Sequence, residues 1–172
     1  MTRIILFLFA FPAFVNIYGF SFNDAKGNLV PLRKYEGRKI LMVNISTGNP
    51  KSYQLRGLQE LYRLYKDSLV IIGVPSNSFG NEPHTPTEID KICKEDYGVQ
   101  FLITQPENVI GTTRHPIYQW LLDSAANGVG PIHIREDFQK ILFDKTGNVM
   151  GVYSAQVDPL DSSVQKAILG IY

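Results

Sequence analysis

The side chains that could do chemistry fall in four places. Ser46, Thr47 and Asn49 stand in a loop of turn formers, Ser46 to Pro50, directly after the apolar run Ile40–Val43. A threonine hydroxyl can act as an acyl-transfer nucleophile when a base takes its proton. The sequence offers Thr47 no free amino terminus and no evident histidine partner. Cys93 is the one cysteine, so no intramolecular disulfide can form. Lys91 and Lys94 favour a thiolate there, while Asp90, Glu95 and Asp96 oppose it. It reads either as a small packed hydrophobe or as a thiol open to mixed disulfides. Glu136-Asp137 reads as a solvated carboxylate pair or, with Glu82 or Asp144 nearby, as oxygen ligands for a cation. His84, His115 and His133 lack ligand spacing, so no metal site is expected, and His115 before Pro116 reads as a helix cap.

These residues need a frame. Phe20–Phe22 and Asn28–Val30 predict two short strands around a turn. Ile40–Val43, within a strand over 39–45, and Leu69–Val74 are apolar enough to be buried on both sheet faces, as in parallel α/β sheets. Between them, Leu55, Leu58, Leu61 and Leu64 mark the buried stripe of a helix over 53–66. Thr85-Pro86-Thr87-Glu88 is a capping box with proline at the first helical position, predicting a helix to about Tyr97. A short strand over 99–104 and a helix through Trp120–Leu122 follow. Ala125–Pro131 reads as a flexible connection. Two strands over 139–143 and 149–154 are joined by a turn at Asp144–Asn148, and a last helix runs from about Asp158 to Leu169. Strands alternating with helices and then a hairpin imply a thioredoxin-like α/β sandwich with a central mixed sheet. The loop after the 39–45 strand lies at that strand's carboxyl end, where open α/β sheets place their sites.

Composition narrows the classes. Hydrophobic residues make up 44% of the 172-residue chain, which predicts one globular domain rather than disorder. The formal charge is +1, so neither nucleic acid nor an anionic membrane is an expected partner. Residues 1–19 read as a signal peptide: Arg3, an apolar Ile4–Val15 and a small residue at Gly19. The apolar run is shorter than the roughly 20 residues a membrane span needs, although an uncleaved anchor is the alternative. The expectation is an exported chain, periplasmic or extracellular, with a domain over 20–172 and no stable membrane span after signal removal.

Several stretches resemble the glutathione peroxidase family. Val43-Asn44, Thr47-Gly48-Asn49 and Tyr53 resemble its nucleophile loop. Val74-Pro75-Ser76-Asn77-Ser78-Phe79-Gly80 with Glu82-Pro83 resembles its second signature. Glu88-Ile89 through Cys93 to Tyr97-Gly98-Val99, then His115-Pro116-Ile117-Tyr118 with Trp120-Leu121, and Phe138 to Asn148 match later segments. The resemblance implies the thioredoxin-like fold and two-electron reduction of hydroperoxides. In that chemistry a cysteine or selenocysteine is oxidised and a thiol, from glutathione or a thioredoxin-like donor, restores it.

The carry-over breaks at the site. The family's nucleophile position holds Thr47, or Ser46 or Asn49 if the shortened loop shifts the register, and none is a thiol. Its glutamine position holds Ser78. Its Trp-Asn pair becomes Glu136-Asp137, acceptors that would raise rather than lower a thiolate pKa. Cys93 stands where thioredoxin-dependent members can carry a resolving cysteine. The expectation is a family member without peroxidase activity. The alternative is a thiol-dependent hydroperoxide reductase acting in oxidative stress through Cys93. No cofactor is expected, with glutathione or thioredoxin as reductant only if the protein is active.

Overall fold

A computed structural model describes residues 16–171. Five strands form one mixed sheet: β3 (Lys39–Ile45), β4 (Leu69–Pro75), β5 (Leu102–Ile103), β6 (Lys140–Phe143) and β7 (Val149–Tyr153), in the order β5-β4-β3-β6-β7. A hairpin of β1 (Ser21–Asn23) and β2 (Leu29–Pro31) lies apart from it, bridged to the β5 edge through Asp24 and Thr104. β3 runs parallel to β4 and antiparallel to β6, so β3 is central and both its faces are covered. Alternation along β3 divides the core. Leu41, Val43 and Ile45 join the cluster containing Leu55, Leu58 and Leu61 of α1 (Gln54–Tyr65), Ile89 of α2 (Pro86–Glu95) and Val164 of α5 (Ser162–Leu169). Ile40 and Met42 face Ile117 and Leu121 of α3 (Pro116–Leu122), together with Phe22 of the hairpin.

Local chemistry sets the element ends. Thr85 and Glu88 close the expected capping box on α2. His115 caps α3, accepting from Ile117 N, and stacks on Phe22. Asp144 Oδ1 accepts from Thr146 N and Asn148 N, pinning the β6–β7 turn.

Four expectations change. α1 starts at Gln54, because Asn49 caps a 3-10 turn over Pro50–Tyr53 first. Leu64 is half exposed, on the flank of the stripe rather than in it. The 125–131 connection begins with a short helix, α4 (Ser124–Asn127), whose buried Asn127 amide bonds the carbonyls of Leu121 and Gly130. The leader boundary after Gly19 also conflicts with packing. Ile17 and Tyr18 are buried, and the Tyr18 hydroxyl donates to Lys145 O, so a cut at that point would strip the core. Residues 1–15, with the rest of the expected leader, lie outside the described residues.

Candidate functional site

Parallel pairing brings the ends of β3 and β4 side by side, so the loops that follow them must meet. Ser76 N donates to Ile45 O at the junction. Beyond it, Ser46–Asn49 is joined to Asn81–His84 residue by residue. Ser46 is buried, and its hydroxyl donates to Asn81 O at 2.7 Å. Thr47 N donates to Glu82 Oε2 at 2.6 Å and Thr47 Oγ1 donates to Glu82 Oε1 at 2.7 Å. Gly48 packs so tightly that a Cβ would stand 2.4 Å from Asn81 O and 2.6 Å from Pro83 Cδ.

Thr47 does have a histidine neighbour, contrary to expectation. His84 Nδ1 lies 2.8 Å from Thr47 Oγ1 and 3.2 Å from Glu82 Oε1. With the hydroxyl proton given to Glu82, the same oxygen can accept from His84 Nδ1. Glu82 is only 5% exposed and also accepts from His84 N. The cluster therefore spends the threonine proton on a structural bond to a buried carboxylate.

A second cluster lies beside it. Asp137 Oδ2 accepts from Asn49 Nδ2 at 2.9 Å and from Asn81 Nδ2 at 2.8 Å. Asp137 is 2% exposed, so it is not half of a solvated surface pair. Glu136 points elsewhere: its Oε2 meets Lys51 Nζ at 3.3 Å and its Oε1 accepts from Ala155 N. Phe138 follows with a φ of 64°, strained for a residue with a Cβ. Its N–H is fixed on Asn44 O and its carbonyl accepts from Lys140 Nζ.

Of the three residues weighed for the nucleophile position, Asn49 is the one hydrogen-bonded to Asp137. Ser78 stands apart. Its oxygen accepts from Val109 N and Ser76 Oγ, and among the described residues it makes no hydrogen bond to the 46–49 loop. Cys93 lies on α2, fully buried in the cluster with Leu55, Leu58 and Phe101. Burial pushes its thiol up to about 12, with the carboxylates of Glu82 and Asp90 adding to the effect. The flanking lysines do not reverse this. Among the described residues no three His, Cys, Asp or Glu side chains gather as metal ligands.

Sequence reasoning missed Asn81, Glu82 and His84 as one unit with Thr47. The available signal was topological: loops at the carboxyl ends of neighbouring parallel strands share one edge of the sheet.

The architecture is thioredoxin-like. The chain superposes on T. cruzi GPX1 with a TM-score of 0.67 at 21% identity, covering 90% of this chain and 97% of that one. It superposes on a thioredoxin-family thiol:disulfide interchange protein of Chlorobium tepidum with a TM-score of 0.65 at 15% identity, covering 92% and 99%. Sequence comparison narrows the class. The glutathione peroxidase family pattern matches residues 17–122. A glutathione peroxidase-like peroxiredoxin of Chlamydomonas reinhardtii is 34% identical over 144 residues, 83% of this chain and 88% of that protein. A glutathione peroxidase homologue of Staphylococcus epidermidis is 37% identical over 146 residues, 84% and 92%. A hydroperoxy fatty acid reductase of Synechocystis is 34% identical over 162 residues, 88% and 95%. The chain belongs to the glutathione peroxidase family.

Proposed function

We propose that this protein is an exported glutathione peroxidase homologue without peroxidase activity, in which the ancestral cleft has become a structural junction. The observation that carries the reading is the fate of the β3 loop. It holds no thiol, and its polar groups are committed to Asn81, Glu82, His84 and Asp137. A peroxidatic atom needs a low-pKa sulfur or selenium with hydrogen-bond donors around it. Whether Thr47, Ser46 or Asn49 occupies the nucleophile position, a hydroxyl or a side-chain amide has no reversible oxidation chemistry of that kind. Export rests on the apolar N-terminal segment, with the leader ending upstream of Ile17. From there to the C-terminus we read one domain. Among the described residues no helix is long and apolar enough to cross a membrane.

The names of the relatives favour a second reading, thiol-dependent hydroperoxide reduction with glutathione or thioredoxin as donor and Cys93 as the reacting thiol. Burial of Cys93 opposes it, because a buried neutral thiol neither meets peroxide nor ionises near neutral pH. The two readings separate in one assay. Purified protein is incubated with hydrogen peroxide or an organic hydroperoxide, with glutathione or a thioredoxin system, and peroxide loss is followed. Our reading predicts the buffer rate. Turnover that disappears in Cys93→Ser would establish the second.

A further inference from the structure

At the opposite edge of the sheet from Thr47 lies a cavity of about 220 Å³. It opens where Arg38 leads into β3 and Lys66 ends α1, beside Val70 at the start of β4. Tyr35, Tyr62 and Gln100 complete its polar wall, and among the described residues no carboxylate lines it. The charge is unbalanced. Among the described residues neither Arg38 nor Lys66 forms an ion pair. Arg38 is nonetheless held in place: its Nη2 donates to Lys66 O and to Leu69 O, the second at 2.9 Å. Its Nε–H is buried without an acceptor.

An arginine and a lysine lining one small cavity beside tyrosine and glutamine residues, with no acidic residue among that lining, match an oxyanion. The guanidinium is pre-oriented by backbone carbonyls, so a ligand would not have to order it. The volume falls below the roughly 300–1,000 Å³ of drug-sized ligand sites, which limits the guest to a small group. We propose that this cavity binds a phosphate group, free or on a short organic ester, with Arg38 and Lys66 as the charged contacts and Tyr35, Tyr62 and Gln100 as neutral donors. The site is separate from the β3–β4 loop junction and independent of whether that junction is catalytic.

The test is isothermal titration of the purified protein with inorganic phosphate and separately with glycerol 3-phosphate, at constant ionic strength set by sodium chloride. The expected result is saturable one-to-one binding that weakens at least tenfold in Lys66→Ala and is unchanged in the control Lys91→Ala, which lines a different cavity beside His84. Lys66→Ala is preferred because Arg38 also bonds backbone carbonyls, and its loss could unfold this edge. Tighter binding of the ester than of phosphate identifies an esterified guest; the reverse identifies the free anion. No saturable heat with either probe overturns the proposal. So does equal affinity in Lys66→Ala and Lys91→Ala.

Discussion

At the scale of single residues, the junction between the two loops depends on the absence of a side chain at Gly48. Its backbone needs no left-handed conformation, so the constraint is contact alone. Gly48→Ala should push the 81–83 backbone away and loosen the bonds from Ser46 and Thr47. The expected cost is about 1–3 kcal/mol, read as a lower midpoint in urea unfolding. An unchanged midpoint would mean that the loops are not interlocked. Thr47 shows how context assigns a role. Its hydroxyl has an imidazole within hydrogen-bond reach, an arrangement that activates a nucleophile elsewhere. Here the proton goes to Glu82, which already accepts from the backbone of the same residue. The resulting bonds fix the loop and leave no free base beside the oxygen.

At the scale of elements, Lys140 ties β6 to its neighbours. Its buried ammonium donates to Gln54 Oε1 at the start of α1, to Phe138 O and to Val157 O. Burial lowers its pKa from 10.5 to about 8. Lys140→Met would leave three buried acceptors without this donor, each costing roughly 1–3 kcal/mol. Relief of the buried charge offsets about 3 kcal/mol of that. The expected balance at pH 7 is a net loss of roughly 0–6 kcal/mol. The pH dependence is the sharper signature. The folded state sheds this proton before the unfolded state does, so the contribution of Lys140 to stability rises with pH from about 8 to 10.5. Denaturant titrations across that window should show the rise in wild type relative to Lys140→Met. Parallel curves would contradict the assignment.

Most elements were legible because their signals are local: two apolar runs for β3 and β4, the Thr85 capping box for α2, the Asp144 turn for the hairpin. The junction was less so. That Glu82 turns inward onto Thr47, with His84 behind it, follows from the parallel pairing of β3 and β4 rather than from any spacing in the chain. Asp137 and Glu136 are adjacent in sequence yet serve different partners, because the chain bends and turns here on its way into the left-handed Phe138. Burial decided Cys93. Its helix position and flanking charges were readable, whereas its enclosure by α1 and Phe101 depends on tertiary packing.

At the scale of the whole molecule, the two clusters on either side of the sheet hold several ionisable groups in neutral form, and this sets the alkaline limit of the fold. The Cys93 thiol is raised from 9.0 to about 12 by burial. The unfolded chain therefore loses that proton first. The contribution of Cys93 is intact below pH 9 and is lost as pH climbs from 9 towards 12. Burial raises the Tyr118 hydroxyl as well, adding a loss of the same sign at higher pH. Stability of Cys93→Ala should fall less steeply than wild type between pH 9 and 12, from a lower value at neutral pH because of the small cavity left behind. Equal slopes would show the thiol to be exposed or already ionised in the native state.

The same thiol gives the most direct test of the central claim, since thiol peroxidase chemistry in this chain would have to pass through Cys93. Native protein is exposed to one equivalent of hydrogen peroxide in the presence of a sulfenic acid trap, and its intact mass is measured. The account predicts an unmodified chain, with labelling only after denaturation. Rapid, stoichiometric trapping on Cys93 of the folded protein would contradict it and return the chain to the peroxidases of its family.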